Sequence, residues 1–147
     1  LRVDGATGYL DTNYRGKADA LLSAMERSNF VFLHVESPDE SGHEGNLEHK
    51  LRAIEDFDAM VVGPVMQGMR RYDDYTLLVM PDHPTPVSLR THTADPVPFC
   101  MYSPGGFAVE AYRRDGISGF NEPSAGSTGL YVGEAHRLMD IMMKKSF

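Results

Sequence analysis

The chain has 147 residues, of which 41% are hydrophobic, 10% aromatic and 24% charged, as expected for one soluble globular domain with a core. Its formal net charge of −7 argues against a nucleic-acid partner, because a phosphate backbone requires a basic protein face. No apolar run approaches the length of a membrane span. The single cysteine, Cys100, lies in an apolar run and predicts a buried, inert thiol. We expect a cytoplasmic protein that binds neither membrane nor nucleic acid.

The start of the chain gives a further expectation about its extent. Residues 1–5 contain neither an initiator methionine nor a signal-peptide pattern. The sequence shows no internal repeat, low-complexity stretch or linker. We therefore expect a fragment of a longer protein that forms part of a single domain.

Helices and short apolar strands alternate along the sequence. In chain order the pattern predicts a helix over residues 17–28, a buried strand over 30–35, a long helix over about 45–72, strands over 75–80 and 97–102, a polar glycine-rich loop over 116–129 and a last helix over about 133–145. Gly63 and Pro64 are expected to kink or divide the long helix. Continuous apolar strands separated by helices favour the α/β class, with a mostly parallel sheet covered by helices on both faces.

Two of the predicted strands end at a pair of Asp and His residues. Asp82 and His83 follow the strand over 75–80, and Asp39 and His43 follow the strand over 30–35. Ligands of parallel sheets bind beyond the carboxyl ends of the strands, and Asp with His suits a hard or borderline metal ion. The sequence therefore predicts one metal site shared by both strand ends.

The first pair allows two interpretations. Asp39 and His43 are four residues apart, so in a helix they share a face, and in a loop the neighbouring glycines let the segment fold back. The alternative is a helix start with Asp39 or Ser41 as the N-cap and a solvated His43.

The second pair is adjacent in sequence and flanked by Pro81 and Pro84. On a regular strand, Asp82 and His83 would point to opposite faces, but beyond the strand end both are able to turn towards one ion. The alternative is a turn in which the Asp side chain bonds its own backbone.

Two more residues near the second pair are candidates. His92 is a third imidazole, with a surface histidine as its alternative, and Arg90 is a candidate phosphate contact because guanidinium binds phosphate oxygens bidentately. The mixed set suits Zn²⁺ or Mn²⁺ better than Ca²⁺. Five ligands are many for one catalytic ion and few for two, which indicates a two-metal site with missing ligands. The five are Asp39, His43, Asp82, His83 and His92.

Four strings make the sequence resemble a known family. GATGYLDTNYRGKA, HVESPDESGHEGNLEHKLRAIEDFD, LVMPDHPTPVSLRTHTADPVPF and FNEPSAGSTGLYVGEAHRLMD resemble the cofactor-independent (2,3-bisphosphoglycerate-independent) phosphoglycerate mutases of the archaeal type, within the alkaline phosphatase superfamily. The resemblance runs in order over nearly the whole chain. It implies that residues 1–147 are the C-terminal part of the metal-binding phosphatase domain. It also implies that the N-terminal part and an inserted substrate domain lie outside this chain.

The resemblance also implies the roles of the site residues. Asp39, His43 and His92 would bind one divalent ion, and Asp82 and His83 the other. The ions would be manganese, magnesium, zinc or cobalt. The second ion also requires an Asp and a Ser or Thr nucleophile, which the resemblance assigns to a part of the enzyme outside this chain.

The implied reaction is the interconversion of 3-phosphoglycerate and 2-phosphoglycerate in glycolysis through a phosphoenzyme. The expected partners are phosphoglycerate, the remainder of the parent polypeptide and a second copy of the chain, and the chain alone is expected to be inactive. Two alternatives stay open at this point. One is a phosphohydrolase of the same superfamily, and the other is a non-catalytic metal-binding or assembly module.

Overall fold

The computed structural model describes residues 1–104, 117 and 119–143. Its elements are α1 (Tyr14–Met25), α2 (Ser37–Glu44), α3 (Leu47–Phe57), a π-helix (Asp58–Val62), α4 (Gly63–Met69), β1 (Leu77–Val79), β2 (Cys100–Tyr102), α5 (Glu122–Ser127) and α6 (Arg137–Met142). They belong to two units, the first with residues 1–71 and 84–94, and the second with residues 72–83 and 95–147. None of the helices in the described part of the chain has the length and apolarity needed to cross a membrane.

Helix α1 of the first unit begins at its N-cap, Asn13, whose side-chain oxygen accepts a 2.8 Å hydrogen bond from the Gly16 N–H. This cap satisfies one of the backbone donors that the first turn of a helix leaves unpaired. Tyr14 and Ala18 are buried on the inner face of α1, which packs against the π-helix and α4. The predicted helix over residues 17–28 is confirmed, but it begins and ends three residues earlier, at Tyr14 and Met25.

The segment after the predicted strand over 30–35 forms a helix rather than a loop. Helix α2 carries Pro38 in its first turn, where the missing N–H of proline costs nothing. It ends at Gly45, whose φ of 73° lies in the left-handed region that glycine enters without steric cost. Asn46 then caps α3, and α2 packs on α3.

The predicted break at Gly63 and Pro64 takes the form of a π-helical turn. Pro64 has no N–H to donate, so the regular helical hydrogen-bond pattern cannot run through it. The Gly63 N–H bonds the Asp58 carbonyl five residues back, and α4 then begins with Pro64 in its first turn. Val61 within this turn and Val65 just after it are buried, so the turn stays within the core of the first unit.

The second unit contains the two strands. β1 and β2 pair antiparallel, with Leu78 opposite Met101. The rings of Tyr75 and Tyr102 lie 6.0 Å apart between centroids. Cys100, predicted to be buried, is exposed on β2.

Two short helices, α5 and α6, lie within residues 119–143 of the second unit. Helix α6 buries Leu138 and Ile141. Helix α5 lies within the residues predicted as a polar loop and is capped by Asn121, whose side-chain oxygen accepts from the Ser124 N–H at 2.9 Å. Residues 144–145 of the predicted last helix, and residues 116 and 118 of the predicted loop, lie outside the described residues.

The predicted mostly parallel sheet is absent from the described residues, where the one strand pair is antiparallel. Residues 30–35 form neither helix nor strand, and their side chains alternate between exposed and half-buried; no described strand pairs with them. An apolar, β-branched run indicates that a segment suits a sheet. It becomes a strand only when a neighbouring backbone supplies the hydrogen bonds. The expectation that 30–35 is a buried strand was therefore wrong for this chain.

Candidate metal centre

Helix α2 places Asp39 and His43 on one face. The Nε2 atom of His43 lies 3.3 Å from Oδ2 of Asp39, one helical turn away. The N-cap of this helix is Glu36, so the interpretation of Asp39 or Ser41 as the cap was wrong. Both side chains are part-exposed, at 25% for Asp39 and 35% for His43.

His92 reaches the same point from the segment of residues 84–94. Its Nε2 atom lies 3.0 Å from Nε2 of His43 and 3.3 Å from Oδ1 of Asp39. The segment is closed by a 3.1 Å hydrogen bond from the Thr93 N–H to the Pro84 carbonyl. Three residues separated by up to 53 positions in sequence therefore meet within the first unit.

The contact of the Nδ1 atom of His43 indicates which tautomer the neutral ring adopts. Nδ1 lies 3.0 Å from the backbone carbonyl oxygen of Arg90. Because a carbonyl oxygen only accepts, Nδ1 carries the proton, and Nε2 of the neutral ring keeps its lone pair. That lone pair lies beside His92 and Asp39. A backbone carbonyl behind a ligating imidazole is the usual support for a metal-binding histidine.

The spacing of the three side chains fits a cation. Two ligand atoms that each lie about 2.1 Å from one ion are about 3.0 Å apart at a right angle and about 3.4 Å apart at the tetrahedral angle. The two Nε2 atoms lie 3.0 Å apart, and each lies 3.3 Å from a different oxygen of Asp39, Oδ2 for His43 and Oδ1 for His92; all three distances fall within that interval. One carboxylate and two imidazoles are typical ligands of Zn²⁺ and Mn²⁺.

Arg90 contributes to this site through its backbone. Its φ of 56° is in the left-handed region, which is uncommon for a residue with a Cβ atom. The Arg90 N–H donates to the Pro86 carbonyl at 2.9 Å, while the Arg90 carbonyl accepts from His43. The guanidinium lies against Gly45, where a Cβ atom would collide with it. The role of this side chain as a phosphate contact stays a prediction.

The sequence did not point to two further residues of this site, Thr85 and Lys50. Thr85 is buried, its hydroxyl donates a hydrogen bond to Oδ1 of Asp39, and its carbonyl accepts a 3.3 Å bond from the Lys50 ammonium. Burial lowers the pKa of Lys50, and the Asp39 carboxylate opposes that shift. A hydroxyl between Pro84 and Pro86, two residues after a candidate ligand pair, was the only sequence signal for Thr85.

Asp82 and His83 lie in the second unit, just after β1. The His83 N–H donates to Oδ1 of Asp82 at 3.0 Å, and the His83 Nε2 atom lies 3.4 Å from Oδ2 of Asp82. The Asp side chain therefore bonds the adjacent backbone, as the turn interpretation predicts. The imidazole and the carboxylate also lie side by side, as metal binding requires. The assignment of this pair to an ion stays a prediction.

Comparisons with known proteins agree with a metal-dependent family. A family profile described as "Metalloenzyme superfamily" matches residues 1–145. The chain is similar to the "Probable 2,3-bisphosphoglycerate-independent phosphoglycerate mutase" of Geobacter sulfurreducens, at 54% identity over 99% of this chain and 35% of that protein. It is also similar to the 2,3-bisphosphoglycerate-independent phosphoglycerate mutase of Methanosarcina acetivorans, at 46% identity over 98% of this chain and 35% of that protein.

A solved structure of a Pyrococcus horikoshii protein is also similar, with a TM-score of 0.84 and 30% identity over 97% of this chain and 41% of that one. The chain thus spans about a third of the length of the curated relatives that it matches. The profile covers nearly all of the sequence, and Asp39, His43 and His92 converge within its range. The chain belongs to the metalloenzyme superfamily.

Proposed function

We propose that this chain is part of a phosphoglycerate mutase that interconverts 3-phosphoglycerate and 2-phosphoglycerate at a two-metal site. The observation that carries the proposal is the convergence of Asp39, His43 and His92 in a chain 54% identical to a protein with that name. The net charge of −7 is also consistent with bound metal ions. A phosphate ester needs positive charge close to it, and in an acidic chain divalent ions would supply that charge.

In this proposal Asp39, His43 and His92 hold one divalent ion, and Asp82 and His83 contribute to a second. Manganese, magnesium, zinc and cobalt all accept such ligands. When bound, such ions lower the pKa of a coordinated hydroxyl and neutralise charge on a transferred phosphoryl group.

The residues of this chain act by holding their donor atoms in place. His43 presents its unprotonated Nε2 because the Arg90 carbonyl holds the proton on Nδ1. Asp39 supplies the negative charge of the ligand set. The phosphoryl group would be carried in turn by a Ser or Thr nucleophile that the family resemblance places outside these residues.

The proposal also covers the parent protein. Residues 1–147 would be the C-terminal part of its metal-binding phosphatase domain, and the rest of the polypeptide would supply the nucleophile and a substrate domain. In that setting residues 30–35 would join a mostly parallel sheet with helices on both faces. The enzyme would act in glycolysis in the cytoplasm.

The test is a turnover assay on the protein that contains this chain. With 3-phosphoglycerate and Mn²⁺, phosphorus NMR should show conversion to 2-phosphoglycerate without free phosphate. The variants Asp39→Asn and His92→Gln should lose at least about 100-fold in kcat/KM, because each removes a ligand donor. His49→Gln is the matched control, since His49 pairs with Glu44 at 2.8 Å on the surface and should leave turnover unchanged.

Other results would select another function. Stoichiometric release of phosphate would identify a phosphohydrolase of the same superfamily. Metal binding without turnover of any phosphate ester would identify a non-catalytic metal-binding or assembly module. Turnover by the 147-residue chain alone with Mn²⁺ would contradict the expectation that it lacks the nucleophile.

A further inference from the structure

The best-supported ligand of the proposed metal site, Asp39, has a hydrogen-bond partner in a residue that contributes no ligand atom of its own. The hydroxyl of Thr85 donates to Oδ1 of Asp39. Thr85 is only 4% exposed, so this hydroxyl has little access to water. A buried donor of this kind stabilises a carboxylate and also fixes its rotation.

Thr85 is itself held from two other directions. Its carbonyl oxygen accepts from the Lys50 ammonium of α3 at 3.3 Å. The same carbonyl and the Thr85 methyl group lie against Gly42 of α2, so closely that a Cβ atom at Gly42 would collide with both. Pro84 and Pro86 restrict the backbone on either side. The position of the hydroxyl is therefore set by α2, α3 and the segment of residues 84–94 together.

The two oxygens of Asp39 face different neighbours. Oδ2 lies 3.3 Å from Nε2 of His43, whereas Oδ1 accepts from Thr85 and lies 3.3 Å from Nε2 of His92. A hydrogen bond from a buried hydroxyl limits the rotation of the carboxylate and so holds each oxygen beside its own imidazole. Partners of this kind typically change metal affinity by about 10- to 100-fold when they are removed.

We propose that Thr85 is a positioning residue that fixes the orientation of the Asp39 carboxylate towards a divalent cation held by Asp39, His43 and His92. This role rests on the proposed metal centre. It requires the hydroxyl of Thr85, whereas its methyl group only fills space against Gly42. Thr85→Ser should therefore preserve the positioning role, and Thr85→Val should abolish it.

The experiment is a titration of the full chain with Co²⁺, followed by calorimetry and by the visible absorption of the bound ion, which reports the number and symmetry of its ligands. Thr85→Val should bind Co²⁺ about 10- to 100-fold more weakly than the unaltered chain and with a changed spectrum. Thr85→Ser should bind within about threefold of it. Thr12→Val is the matched control, because Thr12 is equally buried and its hydroxyl is bonded to the Thr7 N–H at 3.0 Å rather than to a ligand.

Each outcome decides a different point. If the unaltered chain fails to bind Co²⁺, the proposed metal centre fails. If the unaltered chain binds and Thr85→Val matches its affinity and spectrum, only the positioning role fails. If circular dichroism shows Thr85→Val unfolded, Thr85→Ser and Thr85→Ala are compared instead, since they differ by the hydroxyl alone. Equal affinities of those two variants would overturn the proposal.

Discussion

At the residue scale, the candidate ligands are held by groups that do not face the proposed ion, one from the backbone and one from a side chain. The His43 ring is oriented by the carbonyl of Arg90, and the Asp39 carboxylate by Thr85. The ligand candidates were predictable from sequence because metal-binding capacity belongs to the residue type and the four-residue spacing of α2. Thr85 was not predictable, because its hydrogen bond arises only when a distant segment packs on α2.

The close contact between Gly42 and Thr85 leads to a prediction about stability. Alanine is favoured over glycine in a helix by about 1 kcal/mol, but overpacking costs about 1–3 kcal/mol. Because a Cβ atom at Gly42 would collide with Thr85, we expect Gly42→Ala to lower the free energy of unfolding by about 1 kcal/mol in urea denaturation.

Gly126 of α5 provides the matched control for this prediction. Apart from its chain neighbours and the backbone of its own helix, no described atom lies within 4 Å of a Cβ atom built at Gly126. The same substitution there should therefore stabilise the chain by up to about 1 kcal/mol through helix propensity alone. Equal effects of the two substitutions would show that the contact with Thr85 does not constrain Gly42.

At the scale of elements, α1 and α2 are joined by a buried pair of hydroxyl groups. The Tyr14 and Ser37 hydroxyls share a 2.5 Å hydrogen bond, and the side chains are 2% and 0% exposed. The Ser41 hydroxyl donates to the Ser37 carbonyl at 2.8 Å one turn further along α2. The sequence pattern predicted α1 as a helix. The tyrosine–serine bond was not predictable, because 23 residues separate the partners.

Removing one hydroxyl of this pair should leave the other unpaired. We expect Tyr14→Phe to lower the free energy of unfolding by about 1–3 kcal/mol, because a buried donor or acceptor without a partner costs about that much. In the double variant Tyr14→Phe with Ser37→Ala, part of this loss should be recovered. Strict additivity of the two single substitutions in thermal or urea unfolding would contradict a direct interaction.

The same tyrosine gives a prediction about pH. Burial raises the pKa of Tyr14 above its usual 10.0, with the hydrogen bond from Ser37 opposing the shift. A raised folded-state pKa contributes stability that is fully present below pH 10 and is lost as pH rises through the folded-state value. The difference in unfolding free energy between the unaltered chain and Tyr14→Phe should therefore be constant from pH 8 to about 9.5 and shrink above about pH 10. A difference that grows above pH 10 would contradict this sign.

At the scale of the whole molecule, the pattern of apolar residues predicted most helices and both paired strands. It did not predict how these elements are arranged. Sheet direction depends on which backbones meet, and the sequence pattern carries no information on that. Residues 30–35 illustrate the point, since Phe30 and Phe32 are 42% and 77% exposed in a segment with a buried-strand composition.

Hydrogen exchange tests the proposed place of this segment in a larger sheet. In the 147-residue chain, the amides of residues 30–35 should exchange rapidly, because no described strand pairs with them. In the parent protein they should be protected about 100-fold or more, as central strands are. Equal exchange in both proteins would contradict the proposal that these residues join a mostly parallel sheet.

The central claim is that Asp39, His43 and His92 form one metal site. Its most direct test is a crystal structure of this chain soaked with Mn²⁺, with the ion located by its anomalous scattering. We expect one ion at about 2.0–2.3 Å from a carboxylate oxygen of Asp39 and from Nε2 of both His43 and His92. An anomalous map with no peak among these three side chains, under conditions where Mn²⁺ binds elsewhere on the chain, would contradict the claim.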